Sequence, residues 1–184
     1  FQVGGKHVAF VRKHNLFVVY VETGEERALT TEGNEKLLFG ELDWVYQEEI
    51  YGRGNFKAYW WSPDSKRLAL LRLDEAEVKP FTVIDHLPVR QELEVTAYPK
   101  AGDPNPKVAL GVVPIGGGPV KWMDTSEYDS YEPLIVRVGW TPDSGRVVYQ
   151  VQNREQTWLD LSTADPETGR GQRLFRENSP AWVE

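Results

Sequence analysis

Short runs of β-branched and aromatic residues alternate with polar turn segments along most of the chain. Residues 6–11 (KHVAFV) and 15–21 (NLFVVYV) are two such runs, and the residues at 12–14 separate them. Val, Phe and Tyr fit a pleated, half-buried surface, and a few polar residues between two such runs indicate a hairpin turn. Turn residues at 22–26 precede another short run at 27–30. The pattern predicts an antiparallel sheet near the start of the chain.

A motif built around Trp occurs twice and marks the start of further sheet units. Residues 60–71 (WWSPDSKRLALL) and 139–150 (GWTPDSGRVVYQ) share the form W-[ST]-P-D-S-x-R followed by a strand-like run. Pro restricts φ in a turn, Asp and Ser bond to nearby amides, and we expect the Trp to pack between neighbouring sheets. Because such a unit cannot bury its face alone, several must stack. We therefore predict an all-β fold of antiparallel strands, for which a β-propeller is the economical architecture.

The two motif copies are farther apart than the roughly 40 to 45 residues of a compact propeller blade, so the blades must carry insertions. Residues 43–56 (DWVYQEEIYGRGNF) form one insertion, rich in aromatic and acidic residues, and residues 74–99 form a second. Insertions of this length are commonly functional or interfacial. The predicted organisation is one partial propeller domain over residues 1–184, with blade-like units at about 1–40, 57–122 and 134–184.

Composition and charge exclude several classes of function. The chain has 184 residues, with 28 Asp and Glu against 21 Lys and Arg and a net charge of −7. This acidic balance argues against a nucleic-acid partner, which would require a basic face. No run of about 18 apolar residues is present, so we expect no membrane span in this segment. The chain begins at Phe1 and ends in the strand-like segment 181–184, and we therefore expect it to be part of a longer protein.

The residues needed for self-contained hydrolytic chemistry do not occur in the sequence. None of the seven Ser lies in a G-x-S-x-G elbow, the three His form no H-E-x-x-H motif, and there is no Cys. These patterns are the signatures of α/β-hydrolase-type serine hydrolases, of zincin-type metalloproteases and of thiol hydrolases. We therefore expect no catalytic residue, no cofactor and no metal ion in this chain.

Neighbouring carboxylates are the remaining candidate chemistry. Glu92 and Glu94 stand two apart on a probable strand, and Glu75 lies in a charged connection, so we interpret all three as solvated. The pair Glu48-Glu49 differs, because two adjacent side chains can converge in a short helical or irregular turn, and the surrounding aromatic residues would anchor the segment. Converging carboxylates repel each other, and a primary ammonium with three N–H donors relieves that repulsion. An exposed surface dipeptide is the competing interpretation.

The motifs around this pair resemble those of a known family. Residues 43–51 (DWVYQEEIY) and 60–64 (WWSPD) resemble the D-W-V-Y-E-E-E-x-[FY] … W-W-S-P signature of the dipeptidyl peptidase IV family of serine peptidases. Residues 98–108 (YPKAGDPNPKV) resemble its Y-P-K-A-G-x-x-N-P-x-V segment, and residues 5–18 resemble one of its blade strands. The resemblance covers essentially the whole chain, and residues 51–56 look more like bacterial members.

The resemblance implies a fragment of the N-terminal β-propeller of such an enzyme, a partial β-propeller of about three to four blades with a short helical insertion. It further implies a catalytic α/β-hydrolase domain beyond residue 184 and a periplasmic or secreted location. It also implies that Glu48 and Glu49 lie on a short helix and bind the free α-amino group of a peptide substrate, so that the enzyme counts two residues from the N-terminus. Gln47 stands where the family has Glu. That difference leaves the preference between dipeptide and tripeptide products open.

Two other interpretations remain open. The chain could be a stand-alone β-propeller binding module without peptidase activity, or part of an inactive homologue whose hydrolase domain has lost its Ser. In every case a partial propeller leaves open edges. We therefore expect self-association, with exposed aromatic surface at Trp60 or Trp140.

Overall fold

Antiparallel strands dominate the computed structural model, which describes residues 5–183. This confirms the predicted all-β class. A π-helix spans Tyr46–Ile50, a 3-10 helix spans Ser126–Tyr131, and none of the helices within residues 5–183 is long and apolar enough to cross a bilayer. The strands are β1 (His7–Arg12), β2 (Asn15–Tyr20), β3 (Glu26–Ala28), β4 (Leu37–Phe39), β5 (Tyr59–Trp61), β6 (Arg67–Asp74), β7 (Pro80–Asp85), β8 (Glu92–Ala97), β9 (Lys107–Pro114), β10 (Lys121–Trp122), β11 (Leu134–Trp140), β12 (Val147–Gln152), β13 (Trp158–Ala164) and β14 (Gly171–Asn178).

The strands form three successive sheets and one separate hairpin. The first sheet has the order β1-β2-β3, and the third has the order β11-β12-β13-β14. The second has the order β10-β9-β6-β4, with β5 also paired to β6. The expected unit boundary at residue 40 therefore differs from the sheet boundary, because β4 pairs with β6 in the second sheet rather than with the first.

The central strand β6 is buried on both faces, and this explains its almost continuous apolar sequence. Leu68 and Leu70 belong to a core cluster shared with the first sheet, whereas Ala69, Leu71 and Leu73 belong to a cluster shared with the third sheet. Side chains alternate between the two faces of a strand, so one strand supplies both clusters. The second sheet is thus packed between the first and the third.

The two W-[ST]-P-D-S copies fold into the same turn. In the first, the Ser62 hydroxyl donates to Asp64 Oδ1 at 2.6 Å and accepts from the backbone N–H of Arg67 at 3.0 Å. Thr141, Asp143 and Arg146 repeat these contacts at 2.6 and 2.9 Å. The repeated residues therefore encode a turn that is closed by its own side chains.

The repeated turns also join the second and third sheets. The backbone N–H of Asp64 donates to the Ser144 hydroxyl at 2.9 Å, and the Arg67 guanidinium donates to the Ser144 carbonyl at 2.9 Å. The Trp140 indole N–H donates to the Trp60 carbonyl at 3.1 Å. The expected exposure of Trp60 and Trp140 is therefore wrong, because both rings pack against the core shared by the two sheets.

Exposed apolar side chains lie elsewhere. The hairpin β7-β8 is exposed at every position of β7 and at the first four of β8, and it extends from the second sheet between β6 and β9. At its base, the Tyr98 ring packs 4.3 Å from Trp44 and 5.5 Å from Phe81, measured between ring centroids. In the third sheet, the edge strand β14 exposes Leu174 and Phe175.

Candidate functional site

The segment that carries Glu48 and Glu49 interrupts a strand position of the second sheet. Strand β4 pairs with the end of β6 near Leu73, and β5 pairs with its beginning near Leu70. The two short strands thus occupy successive parts of one strand position beside β6. The chain leaves this position at Gly40 and returns at Ala58, where the Ala58 N–H donates to the Gly40 carbonyl at 2.9 Å. The insertion is therefore rooted at both ends in the sheet.

Asp43 begins the helical turn of the insertion. Its carboxylate accepts the backbone N–H of Tyr46 at 3.0 Å and that of Val45 at 3.3 Å, which satisfies donors that have no partner within the helix. The Tyr51 N–H donates to the Tyr46 carbonyl at 2.8 Å, five residues earlier, and this wide turn defines the π-helix. Single π turns of this kind are frequent at functional sites.

Two tyrosines tie the π-helix to the third sheet at one residue. The backbone N–H of Ile135 donates to the Tyr46 hydroxyl at 3.3 Å, and the Tyr51 hydroxyl donates to the Ile135 carbonyl at 3.1 Å. The pairing of β11 with β12 shifts register between Ile135 and Arg137, so the helix bonds β11 beside a bulge. Tyr46 is fully buried, and burial raises the pKa of its hydroxyl well above the usual range.

The predicted pair Glu48 and Glu49 lies on this helix. The Glu48 side chain is 15% exposed and pairs with the Arg53 guanidinium, whose side chain is 83% exposed. Glu49 is exposed and lines a cavity of about 290 Å³ between the helix and the third sheet, together with Arg137 and Gln150. The helix therefore presents two adjacent carboxylates in different settings, one largely shielded and paired, the other open to solvent.

Gln47, the residue that differs from the family motif, has a structural contact. Its side chain is buried, and Oε1 accepts the backbone N–H of Gly54 at 2.8 Å. This bond folds the segment after the helix back against the helix. The Arg137 guanidinium also donates to the Ile50 carbonyl at 3.3 Å. The C-terminal end of the π-helix is thus held from two sides.

Two buried carboxyl groups lie beneath the helix. Burial raises the pKa of Asp43 to about 6, although its bonds from Tyr46 and Val45 act in the opposite direction. Glu75 is only 7% exposed, and burial, followed by the charge of Asp43, raises its pKa to about 7. The interpretation of Glu75 as solvated is therefore wrong, because the chain carries this residue from the end of β6 into the base of the insertion. Glu92 and Glu94 are exposed on β8.

The described residues 5–183 contain no group of three or more His, Cys, Asp or Glu side chains arranged to hold a metal ion. Asp43, Gln47 and Arg53 were not singled out from the sequence as site residues. An Asp placed just before a helical segment is a known capping signal, and it could have identified Asp43 from the sequence. The Arg53 contact has no such local signal.

Comparison with known proteins identifies the family. All 184 residues match the model of the dipeptidyl peptidase IV (DPP IV) N-terminal region. The chain belongs to this family. Its relatives include the probable dipeptidyl-aminopeptidase B of Emericella nidulans, which is 33% identical over 96% of this chain, and that of Ajellomyces dermatitidis, also 33% identical over 96%. The chain spans about a fifth of each relative, 21%.

Solved structures support the same assignment. The crystal structure of Porphyromonas gingivalis dipeptidyl peptidase 4 matches the whole chain with a TM-score of 0.89 and 27% identity, over 26% of its own length. A putative dipeptidyl aminopeptidase IV from Bacteroides ovatus matches 97% of the chain with a TM-score of 0.80 and 26% identity, over 23% of its own length. The three sheets are thus a partial propeller of the DPP IV type, as predicted.

Tyr46→Phe tests the bond between the helix and the third sheet. Removing the hydroxyl leaves the buried Ile135 N–H without its acceptor, and we expect a loss of about 1–3 kcal/mol in the free energy of unfolding. Urea denaturation followed by fluorescence measures it. Tyr131→Phe, at a position that is 46% exposed, is the control. Equal stability of both variants would contradict the role of the Tyr46 hydroxyl.

Asp43→Asn tests the raised pKa of the capping carboxyl. Because the folded chain holds this proton up to about pH 6 while the unfolded chain releases it near the usual value of 3.8, the contribution of Asp43 to stability falls as pH rises between these values. The Asn side chain keeps the acceptor oxygen without the charge. We expect the Asp43→Asn variant to gain about 3 kcal/mol in stability relative to wild type between pH 4 and pH 7.5.

Thermal or urea unfolding at several pH values measures this gain. Asp85→Asn is the matched control, since Asp85 accepts the Leu87 N–H at 2.9 Å in an exposed turn. A stability difference between wild type and Asp43→Asn that does not change with pH would rule out the raised pKa.

Proposed function

We propose that this chain is the substrate-recognition part of a longer serine exopeptidase, and that Glu48 and Glu49 bind the free N-terminal ammonium of a peptide. The observation that carries the proposal is the pair of adjacent carboxylates on a helix anchored to two sheets. The relatives are dipeptidyl aminopeptidases by name, which is consistent with recognition at the amino end of a peptide.

The chemistry of the pair suits an ammonium ligand. An ammonium offers three N–H donors and one positive charge, and two carboxylates offer acceptors and opposite charge. Each charge-assisted hydrogen bond contributes about 1.5–3 kcal/mol. Glu49 is exposed and can be approached directly from solvent, whereas the Glu48 side chain is 15% exposed and its carboxylate is paired with the exposed Arg53.

Anchoring of the amine would also determine where the substrate is cut. An extended peptide advances about 3.3–3.6 Å per residue, so the bond after the second residue lies about 7 Å from the amine. A helix with a fixed position would hold that bond against a nucleophile supplied from outside this chain. In this role the chain contributes positioning and specificity, whereas bond cleavage belongs to the hydrolase part of the longer protein.

Glu48→Gln and Glu49→Gln test this function in the complete protein. The readout is kcat/KM for Gly-Pro and Ala-Pro chromogenic substrates with a free amine, compared with their N-acetylated forms. We expect each substitution to lower kcat/KM by at least tenfold for the free-amine substrates, because one charge-assisted bond is lost. Glu92→Gln, on the exposed β8, is the matched control.

Unchanged kcat/KM in both site variants would show that Glu48 and Glu49 are ordinary surface residues without a role in substrate binding. The chain would then have only a structural role. A complete protein that cleaves none of these substrates but still binds peptides through its free amine would instead favour a binding module or an inactive homologue.

We also propose that the 184-residue chain self-associates through its open sheet edge. Strand β14 ends the third sheet, and its exposed Phe175 stands beside unpaired backbone groups of the edge. Light scattering coupled to size exclusion should give a mass above the 21.0 kDa of one chain. Phe175→Lys, which places a charge on the edge, should restore 21.0 kDa. A wild-type chain that stays at one-chain mass at high concentration would contradict the proposal.

A further inference from the structure

The turn after the π-helix is built to present one arginine. Gly52 and Gly54 have φ values of +100° and +81°, which side chains rarely adopt, and they flank Arg53 on both sides. The Asn55 N–H donates to the Gly52 carbonyl at 3.0 Å, and the Gly54 N–H donates to Gln47 Oε1 at 2.8 Å. These backbone bonds fold the turn over the helix without help from the Arg53 side chain.

The Arg53 guanidinium reaches back to the acidic pair. It donates to Glu48 Oε1, and this hydrogen bond to Glu48, the charge of Glu48 and, more weakly, the charge of Glu49 raise the pKa of Arg53. The side chain is 83% exposed, so it buries little surface in making this contact. Arg53 thus interacts with both carboxylates while the main body of its side chain remains in solvent.

We propose that Arg53 is a built-in counter-ion that occupies the amine-binding position of Glu48 in the free protein and is displaced by the ammonium of an incoming peptide. This inference rests on the proposed function of Glu48 and Glu49. It makes Arg53 a residue that sets affinity for the substrate amine without taking part in bond cleavage.

Three features support displacement rather than a permanent structural bond. Two neighbouring carboxylates without a cation repel each other, so a cation beside them stabilises the empty site. An ion pair with an exposed partner is weak and exchanges readily with solvent. The turn is already closed by the Gln47 and Gly52 contacts, so releasing Arg53 requires movement of a single side chain.

The other arginine near the helix does not share this role. The Arg137 guanidinium donates to the backbone carbonyls of Ile50 and Val136, at 3.3 and 2.7 Å, and lies 5.9 Å from the Tyr51 ring centroid. These contacts hold Arg137 at the end of the helix. Arg53 is therefore the cation that competes with a substrate ammonium for Glu48.

Competition by a resident cation lowers the apparent affinity for substrate, because only the fraction of sites with Arg53 released can bind the amine. Since an exposed ion pair shifts such an equilibrium only modestly, we expect Arg53→Gln to lower KM for an Ala-Pro chromogenic substrate by roughly two- to fivefold. We expect kcat to change by less than twofold. Arg53→Lys keeps the charge and should shift KM less than Arg53→Gln does.

The experiment is steady-state kinetics on the complete protein. Arg170→Gln, which removes an exposed arginine in the connection between β13 and β14, is the control for loss of one positive charge. The Glu48→Gln background provides the second control, because Arg53 has no carboxylate at position 48 to occupy in that variant. In that background Arg53→Gln should no longer lower KM.

An unchanged or raised KM in Arg53→Gln, with Glu48→Gln strongly impaired, would overturn the counter-ion and leave the proposed function intact. A KM reduction that persists in the Glu48→Gln background would also overturn it, since the effect would not pass through Glu48. Wild-type kcat/KM in both Glu48→Gln and Glu49→Gln would instead refute the amine site itself.

Discussion

The position of the acidic pair depends on two hydrogen bonds, which join the hydroxyls of Tyr46 and Tyr51 to the backbone of Ile135. The insertion is rooted in the second sheet at Gly40 and Ala58, and Tyr46 and Tyr51 carry it onto the third sheet. Since both the N–H and the carbonyl of Ile135 are engaged, the helix cannot slide along β11 without breaking one of these hydrogen bonds. The site is therefore built by the packing of two sheets rather than by either sheet alone.

The features that could be predicted from the sequence are those with local causes. The two W-[ST]-P-D-S turns close through their own side chains, so their residues are visible as a repeat. The alternation of apolar residues in β6 and the hairpins near the start of the chain follow from strand geometry. The helical insertion and its glutamate pair came from a resemblance to a family, since two adjacent Glu residues carry no distinctive signal by themselves.

The features that could not be predicted depend on distant parts of the chain. Glu75 follows an ordinary charged pattern, yet the packing of the insertion buries it and raises its pKa to about 7. Trp60 and Trp140 were expected at open faces. They instead lie where the second and third sheets meet, and the Trp140 indole N–H donates to the Trp60 carbonyl. The division of one strand position between β4 and β5 appears only when both are paired with β6.

The functional proposals assign different tasks to the buried and exposed parts of the insertion. Asp43 and Tyr46, which are buried, determine where the helix stands. Glu49 and Arg53, which are exposed, leave charges available for exchange with a ligand. A buried, hydrogen-bonded base with exposed charged residues above it suits the proposed recognition of a small cation, because the base holds the acceptors in place.

The most direct measurement is a crystal structure of the complete protein with the dipeptide Ala-Pro bound. The proposed function predicts the terminal amine nitrogen of the dipeptide at about 2.7–3.2 Å from carboxylate oxygens of both Glu48 and Glu49. The counter-ion role of Arg53 further predicts that its guanidinium no longer contacts Glu48. A dipeptide whose amine lies elsewhere, while Arg53 remains paired with Glu48, would contradict both.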